Sequence, residues 1–170
     1  MKELTTPSVF KTLKNIEYFD FEEDFVEENM RCIPMIVRYK MDLAGIKLKL
    51  SDWSRFSVQE RIELAIKRCS TTEEIMAYKF CLANLVKKHT GKEAVPLNAD
   101  GLISWANLST IPEPLRLKAA EYNWLITIEQ WSGLSNLQRF ALLKLLRPGH
   151  ENKFFPIAML EFNLTCNECK

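Results

Sequence analysis

Apolar residues recur at helical spacing along most of the chain, and polar turns separate the runs. In the first half, a helix is predicted between Pro34, which suits a first helical turn, and Gly45, which offers a stop. Ser57 and Glu60 form the Ser-x-x-Glu pattern of a capping box, and an apolar stripe follows them. Ser135 and Gln138 repeat the capping box in the second half. The predicted first-half helices therefore begin near Pro34, at Ser57 and at Thr71 or Thr72, and the last one ends near Gly91.

Two short segments alternate apolar and polar residues instead, which is the period of an extended strand. They are Leu48–Leu50 and Ile126–Ile128. Because they occupy equivalent positions in the two halves of the chain, we predict that they pair as a short antiparallel ribbon.

The order of elements in the first half returns in the second half. Residues 31–82 align without a gap on residues 109–160, with 11 identities in 52 positions. A self-match at a fixed period indicates that one structural unit was built twice. The identities include the pairs Ile33 and Ile111, Pro34 and Pro112, Arg38 and Arg116, Lys40 and Lys118, Trp53 and Trp131, Ser57 and Ser135, and Arg61 and Arg139.

The predicted fold class is all-α, with two tandem helical repeats related by a pseudo-twofold axis and about seven helices in total. A chain of 170 residues that is 47% apolar can bury one substantial core, so residues 1–170 are expected to form a single domain. The expected parts are an N-terminal arm (1–18), a first repeat (31–90), a connecting loop (91–110), a second repeat (111–163) and a tail (164–170).

Composition excludes some classes of partner. A net charge of +1 gives no broad electrostatic case for nucleic acid or membrane binding. No stretch has the length of a membrane span, and the N-terminal residues lack the apolar core of a signal peptide, so a cytoplasmic protein with reduced thiols is expected. Acidic residues concentrate between positions 17 and 28, either as a solvated segment or as a lip that docks a basic partner.

Two arginines stand early in helices of both repeats. Arg61 and Arg139 lie near the helix start, where a cation is unfavourable to the helix dipole, so each needs a partner. The alternatives are a salt bridge, across the pseudo-twofold axis or to the acidic segment, and a site for an anion or a protein partner. Arg38, Lys40, Arg116 and Lys118 are expected to pair with acids on helix ridges.

The segment 147–153 is the richest polar cluster. It contains Arg147, His150, Glu151, Asn152 and Lys153 in a Pro-Gly turn at the mouth of the last helix. Such a turn can hold an anion or do acid–base work, and its residues are candidates for binding an anion or a partner. The alternative is structural: His150 or Asn152 caps the last helix, and Arg147 binds carbonyls of the preceding one.

No motif predicts a catalytic residue, and no cofactor is expected. Cys166 and Cys169 have metal-ligand spacing, but no second pair of ligands accompanies them, so they are weak metal candidates.

Two stretches resemble a known family. They are residues 31–53, with Ile-Pro-Met-Ile-Val-Arg, and residues 137–153, with Arg-Pro-Gly-His-Glu-Asn. The chain resembles the nitrate-reductase-associated proteins of cyanobacterial type over roughly residues 19 to 163. The resemblance implies a small cytoplasmic protein needed for active nitrate reductase, and it carries over no site residue.

The expected function is that of a non-catalytic accessory protein. It supports assembly of nitrate reductase, insertion of its molybdenum cofactor, or its activity, by binding the enzyme or its maturation machinery. The alternative is a small enzyme or carrier that binds an anionic ligand, such as a molybdopterin intermediate, at the 147–153 turn.

Overall fold

The computed structural model describes residues 9–24, 32–97 and 104–165. Within those ranges the chain is mostly helical, with nine α-helices, three 3-10 helices and one two-stranded ribbon. Contacts divide the chain into two compact units, Met1–Asp100 and Gly101–Lys170. No helix in the described ranges is long and apolar enough to cross a membrane.

The described part of the first unit contains five α-helices, one 3-10 helix and the ribbon. Its elements are α1 (Val9–Thr12), a 3-10 helix (Asp20–Asp24), α2 (Met35–Ala44), β1 (Ile46–Lys47), α3 (Leu50–Trp53), α4 (Val58–Ile66), α5 (Thr72–Thr90) and β2 (Val95–Pro96). Capping boxes open α4 at Ser57 and α5 at Thr71, and Gly45 and Gly91 end α2 and α5 in the left-handed conformation. The helix signals of this half are therefore confirmed.

Glu22, an acid of the acidic stretch, caps the N-terminus of α2. Glu22 is fully buried, and its carboxylate accepts hydrogen bonds from the main-chain N–H of Met35 (2.7 Å) and of Phe19 (3.1 Å). Pro34, the N-cap, makes no side-chain cap bond, so Glu22 supplies the acceptor that the helix start lacks. Residues 25–31, the rest of this acidic stretch and Arg31, lie outside the described residues.

The predicted pairing of the two alternating segments is wrong. β1 pairs antiparallel with β2, with Ile46 opposite Pro96 and Lys47 opposite Val95. Leu50 and Ile128 each begin a helix instead. In the second half the reason is a capping box that the alternation conceals: the Thr127 hydroxyl accepts from Gln130 N–H over 3.2 Å, and Gln130 Oε1 accepts from Thr127 N–H.

The described part of the second unit contains four α-helices and two 3-10 helices. Its elements are a 3-10 helix (Ser104–Ala106), α6 (Glu113–Ala120), α7 (Ile128–Gly133), α8 (Asn136–Leu145), a 3-10 helix (His150–Phe154) and α9 (Phe155–Glu161). The predicted capping box of Ser135 and Gln138 opens α8 and is confirmed. Trp131, Phe140, Leu142 and Phe155 form the centre of its core, each no more than 1% exposed.

Helices of the two units begin at a constant offset in the sequence. α2, α3 and α4 start at residues 35, 50 and 58, and α6, α7 and α8 start at residues 113, 128 and 136, each 78 positions later. The offset extends to the backbone after the first helix of each set, where Gly45 and Asn123 have φ of 66° and 58°.

Candidate functional site

The polar turn begins where α8 ends. After Leu146, the chain passes through Arg147 and Pro148 to Gly149, which has φ of 148° and ψ of −176°. Residues that carry a side chain rarely adopt this backbone conformation, so glycine is the residue that fits here. The Pro-Gly pair turns the chain sharply out of α8 and into the 3-10 helix His150–Phe154.

Asn152 connects the turn to the end of α8 by a hydrogen bond. Its side-chain amide donates to the carbonyl of Leu145 over 2.8 Å, and its main-chain N–H donates to the carbonyl of Gly149 over 3.2 Å. The first bond satisfies a carbonyl at the end of α8. In the structural alternative, Arg147 binds carbonyls at the end of the preceding helix, and His150 or Asn152 caps the last helix. In the structure, Asn152 binds the end of the preceding helix instead.

A groove of about 460 Å³ lies between this turn and α6. Its apolar lining combines ring carbons and side chains from both segments, and Asn152 lies at one side. The lining residues are Pro114, Leu117, Lys118, Glu121, Leu146, Pro148, Gly149 and Asn152. Leu117 is 61% exposed, although Leu115, two positions earlier on α6, is fully buried. The groove therefore offers an apolar surface that the second unit's own core leaves uncovered.

Charged groups border this apolar surface. Lys118 Nζ lies 2.6 Å from Glu121 Oε2 and 5.8 Å from the ring centre of Tyr122. The hydrogen bond to Glu121 raises the pKa of Lys118, so the lysine is charged at neutral pH. Arg147 and Lys153 are exposed, and each adjoins a lining residue in the sequence. Lys118 pairs with Glu121 at the groove, while Arg147 and Lys153 lie beside lining residues of the turn, and Lys153 Nζ lies 4.9 Å from the ring centre of Phe154.

The structure places Arg61 and Arg139 elsewhere, as buried donors to main-chain carbonyls. Arg61, 7% exposed, donates to Trp53 O over 3.1 Å and to Ser54 O over 2.9 Å. Arg139, 4% exposed, donates to Trp105 O over 2.7 Å and also to the carbonyls of Trp131 and Leu134. Each guanidinium also lies over the ring of its preceding tryptophan. Neither arginine lines the groove.

The remaining predicted candidates divide by what the structure describes. The backbone of His150 and Glu151 lies in the 3-10 helix, and their side chains lie outside the described residues. Cys166 and Cys169 also lie outside them. In the part of the chain that is described, no group of three or more His, Cys, Asp or Glu side chains is placed to hold a metal ion.

Sequence reasoning missed the α6 side of the groove. Leu117 stands two positions after buried Leu115, about 200° away around the helix axis. Helical spacing could therefore have identified it as exposed.

Lys118 pairs with an acid as predicted. Its counterpart Lys40 does not: it is buried, donates to the carbonyls of Ala65 (2.5 Å) and Lys67 (2.8 Å), and burial lowers its pKa to about 8.

Comparison with known proteins identifies the family. Residues 18–162 match the family of conserved nitrate reductase-associated proteins, and this range includes every residue that lines the groove. No curated protein and no solved structure matches the chain. The match covers most of the chain, and the chain therefore belongs to the family of conserved nitrate reductase-associated proteins.

Proposed function

We propose that this protein is a non-catalytic accessory protein that binds nitrate reductase, or the machinery that matures it, through the groove between α6 and the 147–153 turn. The observation that carries the proposal is the exposure of Leu117 in a groove within the family's matched range. Exposed apolar surface bordered by polar groups is typical of a protein-interaction site. The binding supports assembly, cofactor insertion or activity of the enzyme.

The chemistry of the groove favours one kind of partner segment. An apolar side chain of the partner packs on Leu117 and Leu146, and acidic groups beside it meet Arg147 and Lys153. The Lys118–Glu121 pair spans one side of the groove and needs no compensating charge. Because Lys118 and Glu121 already pair with each other, this side of the groove disfavours a partner that places a single unpaired charge against it.

We also propose that the 78-residue offset reflects duplication of one helical unit, and that residues 1–170 act as a single domain in the cytoplasm. Support comes from three pairs of helix starts and from Arg61 and Arg139, which bind carbonyls of equivalent tryptophans. The groove includes positions where the copies differ, because its lining residues Pro148 and Gly149 correspond to Ser70 and Thr71.

The test combines one groove variant with a matched control. Leu117→Asp places a charge in the groove, whereas Leu125→Asp changes a leucine of the same unit that is 68% exposed and does not line it. In cells that depend on this protein, Leu117→Asp and Arg147→Ala should reduce both nitrate reductase activity and recovery of the enzyme with tagged protein. Leu125→Asp should leave both unchanged. Equal loss with Leu117→Asp and Leu125→Asp would contradict the groove's role.

A second candidate function is binding of a small anionic ligand, such as a molybdopterin intermediate, at the turn. The groove's volume lies in the range of small-molecule clefts, and the turn beside it carries the exposed residues Arg147 and Lys153. Native mass spectrometry of protein purified from its own cells tests it. A bound mass that Arg147→Ala removes would favour ligand binding over protein binding, and unliganded protein that still recovers nitrate reductase would exclude it.

A further inference from the structure

The longest helix of the first unit packs through one narrow stripe. α5 buries Tyr78, Leu82 and Val86, which are spaced four residues apart. This stripe packs mainly against α2, and a smaller part of the helix packs against α3. A helix of 19 residues is about 28 Å long, so α5 presents a long opposite face outside this core.

The opposite face carries apolar side chains at regular spacing. Met76 is 61% exposed and Phe80 is 70% exposed, the largest exposed fraction of any large apolar residue described. Together with their neighbours they form an outer stripe with intervals of three, four, three and four residues. The outer stripe consists of Glu73, Met76, Phe80, Ala83 and Lys87. This interval pattern is the one by which two helices pack along a common seam.

We propose that a second copy of this chain packs antiparallel along the outer stripe of α5, forming a symmetric dimer. The ends of the stripe carry opposite charges, with Glu73 at the N-terminal end and Lys87 at the C-terminal end. An antiparallel pair brings Glu73 of each copy to Lys87 of the other. A parallel pair would place like charges together, so charge complementarity selects the antiparallel arrangement.

The side-chain sizes along the stripe agree with this register. With the twofold axis between Phe80 and Ala83, each Phe80 ring packs against the small Ala83 of the second copy. Met76 then lies against the aliphatic stem of Lys87, whose ammonium group extends towards Glu73. Lys87 also pairs with Glu93 of its own chain, and its side chain is 57% exposed in that pair, so it remains accessible to a second copy.

The first experiment measures the mass of the full chain in solution by light scattering and analytical ultracentrifugation. The wild-type protein is expected at twice the 19.8 kDa of the chain at micromolar concentration, and Phe80→Glu at 19.8 kDa. Val58→Glu changes an apolar residue on α4 that is 52% exposed and should remain dimeric. A monomeric wild-type protein, or a Phe80→Glu variant that stays dimeric, would overturn the proposal.

The second experiment uses reversed charges, which separates dimerisation from folding. Glu73→Lys and Lys87→Glu should each be monomeric alone, because each places like charges at both ends of the interface. An equimolar mixture of the two should form a heterodimer, since every end pair is again opposite in charge. Circular dichroism checks that both variants are folded. Folded variants that fail to associate on mixing would overturn the antiparallel register.

Discussion

The side-chain amide of Asn152 donates a hydrogen bond to the carbonyl of Leu145 over 2.8 Å, and this bond joins the polar turn to the end of α8. The same residue lines the groove. The wall of the groove therefore depends on a helix-terminal contact, and the shape of the site is coupled to the stability of the second unit.

Replacing Asn152 by alanine should lower the free energy of unfolding by about 1–2 kcal/mol, because the carbonyl of Leu145 loses its donor in a partly buried position. Urea denaturation measures the change. Lys153→Ala, at the exposed neighbouring position, should change stability by less than about 0.5 kcal/mol. Equal stability of Asn152→Ala and the wild-type protein would mean that the turn is held by other contacts.

Gly149→Ala should destabilise the protein by about 1–3 kcal/mol, because φ of 148° is strained for any residue with a Cβ. Gly133 provides the matched control: it lies in α7 without a positive φ, and an added Cβ would meet no atom within 4 Å. Gly133→Ala should leave stability unchanged or raise it by up to about 1 kcal/mol. Thermal denaturation of the two variants checks the difference, and equal melting temperatures would contradict the conformational argument.

Local signals in the sequence predicted several helix starts and the ends of α2 and α5. The capping boxes at Ser57 and Ser135 and the stops at Gly45 and Gly91 act within one helical turn, so neighbouring residues suffice to identify them. The ribbon was mispredicted because Ile46 and Lys47 pair with residues about 50 positions away, and strand pairing depends on tertiary contacts. Thr127 and Gln130 could have identified the start of α7, since they fit a capping box as Ser57 and Glu60 do.

The candidate site was predicted in part. The turn at 147–153 was identified from its dense polar residues, but the α6 wall was not, because a groove between two elements depends on their packing. Arg61 and Arg139 were recognised as needing partners, which follows from their place in the first turns of helices. Main-chain carbonyls were not considered as those partners, and their position depends on the preceding short helices α3 and α7.

Stability should fall in acid because Glu60 loses its charge. Burial raises the pKa of Glu60, but hydrogen bonds from Lys88, Ser57 and His89 outweigh this effect and lower it to about 2. A depressed pKa in the folded state contributes stability above the ordinary value near 4.5, and this contribution is lost as the pH falls from there towards 2. We expect a loss of about 1–2 kcal/mol after solvent screening.

Glu60→Gln should flatten this acid dependence while it keeps the capping box, as Gln138 does at Ser135. Glu63→Gln, at an exposed position of the same helix, should keep the dependence of the wild-type protein. Urea denaturation at pH values from about 6 down to about 2.5, a range set by the titration of Glu60, gives the comparison. An unchanged slope in Glu60→Gln would assign the acid sensitivity to another carboxylate.

Arg139→Lys should lower the free energy of unfolding by about 2 kcal/mol, because an ammonium group cannot reproduce the fork that binds the carbonyls of Trp105, Trp131 and Leu134. Arg116→Lys, at an exposed position of α6, should have little effect. Denaturation monitored by tryptophan fluorescence tests both. A negligible effect of Arg139→Lys would mean that these carbonyls find other donors when the guanidinium is removed.

The most direct test of the groove's role is a titration of purified nitrate reductase with this protein by isothermal titration calorimetry. Leu117→Asp should weaken binding at least about tenfold, which corresponds to about 1.4 kcal/mol, while Leu125→Asp binds as the wild-type protein does. Circular dichroism confirms that both variants are folded. A Leu117→Asp variant that binds nitrate reductase as tightly as the wild-type protein would contradict the assignment of the groove as the binding site.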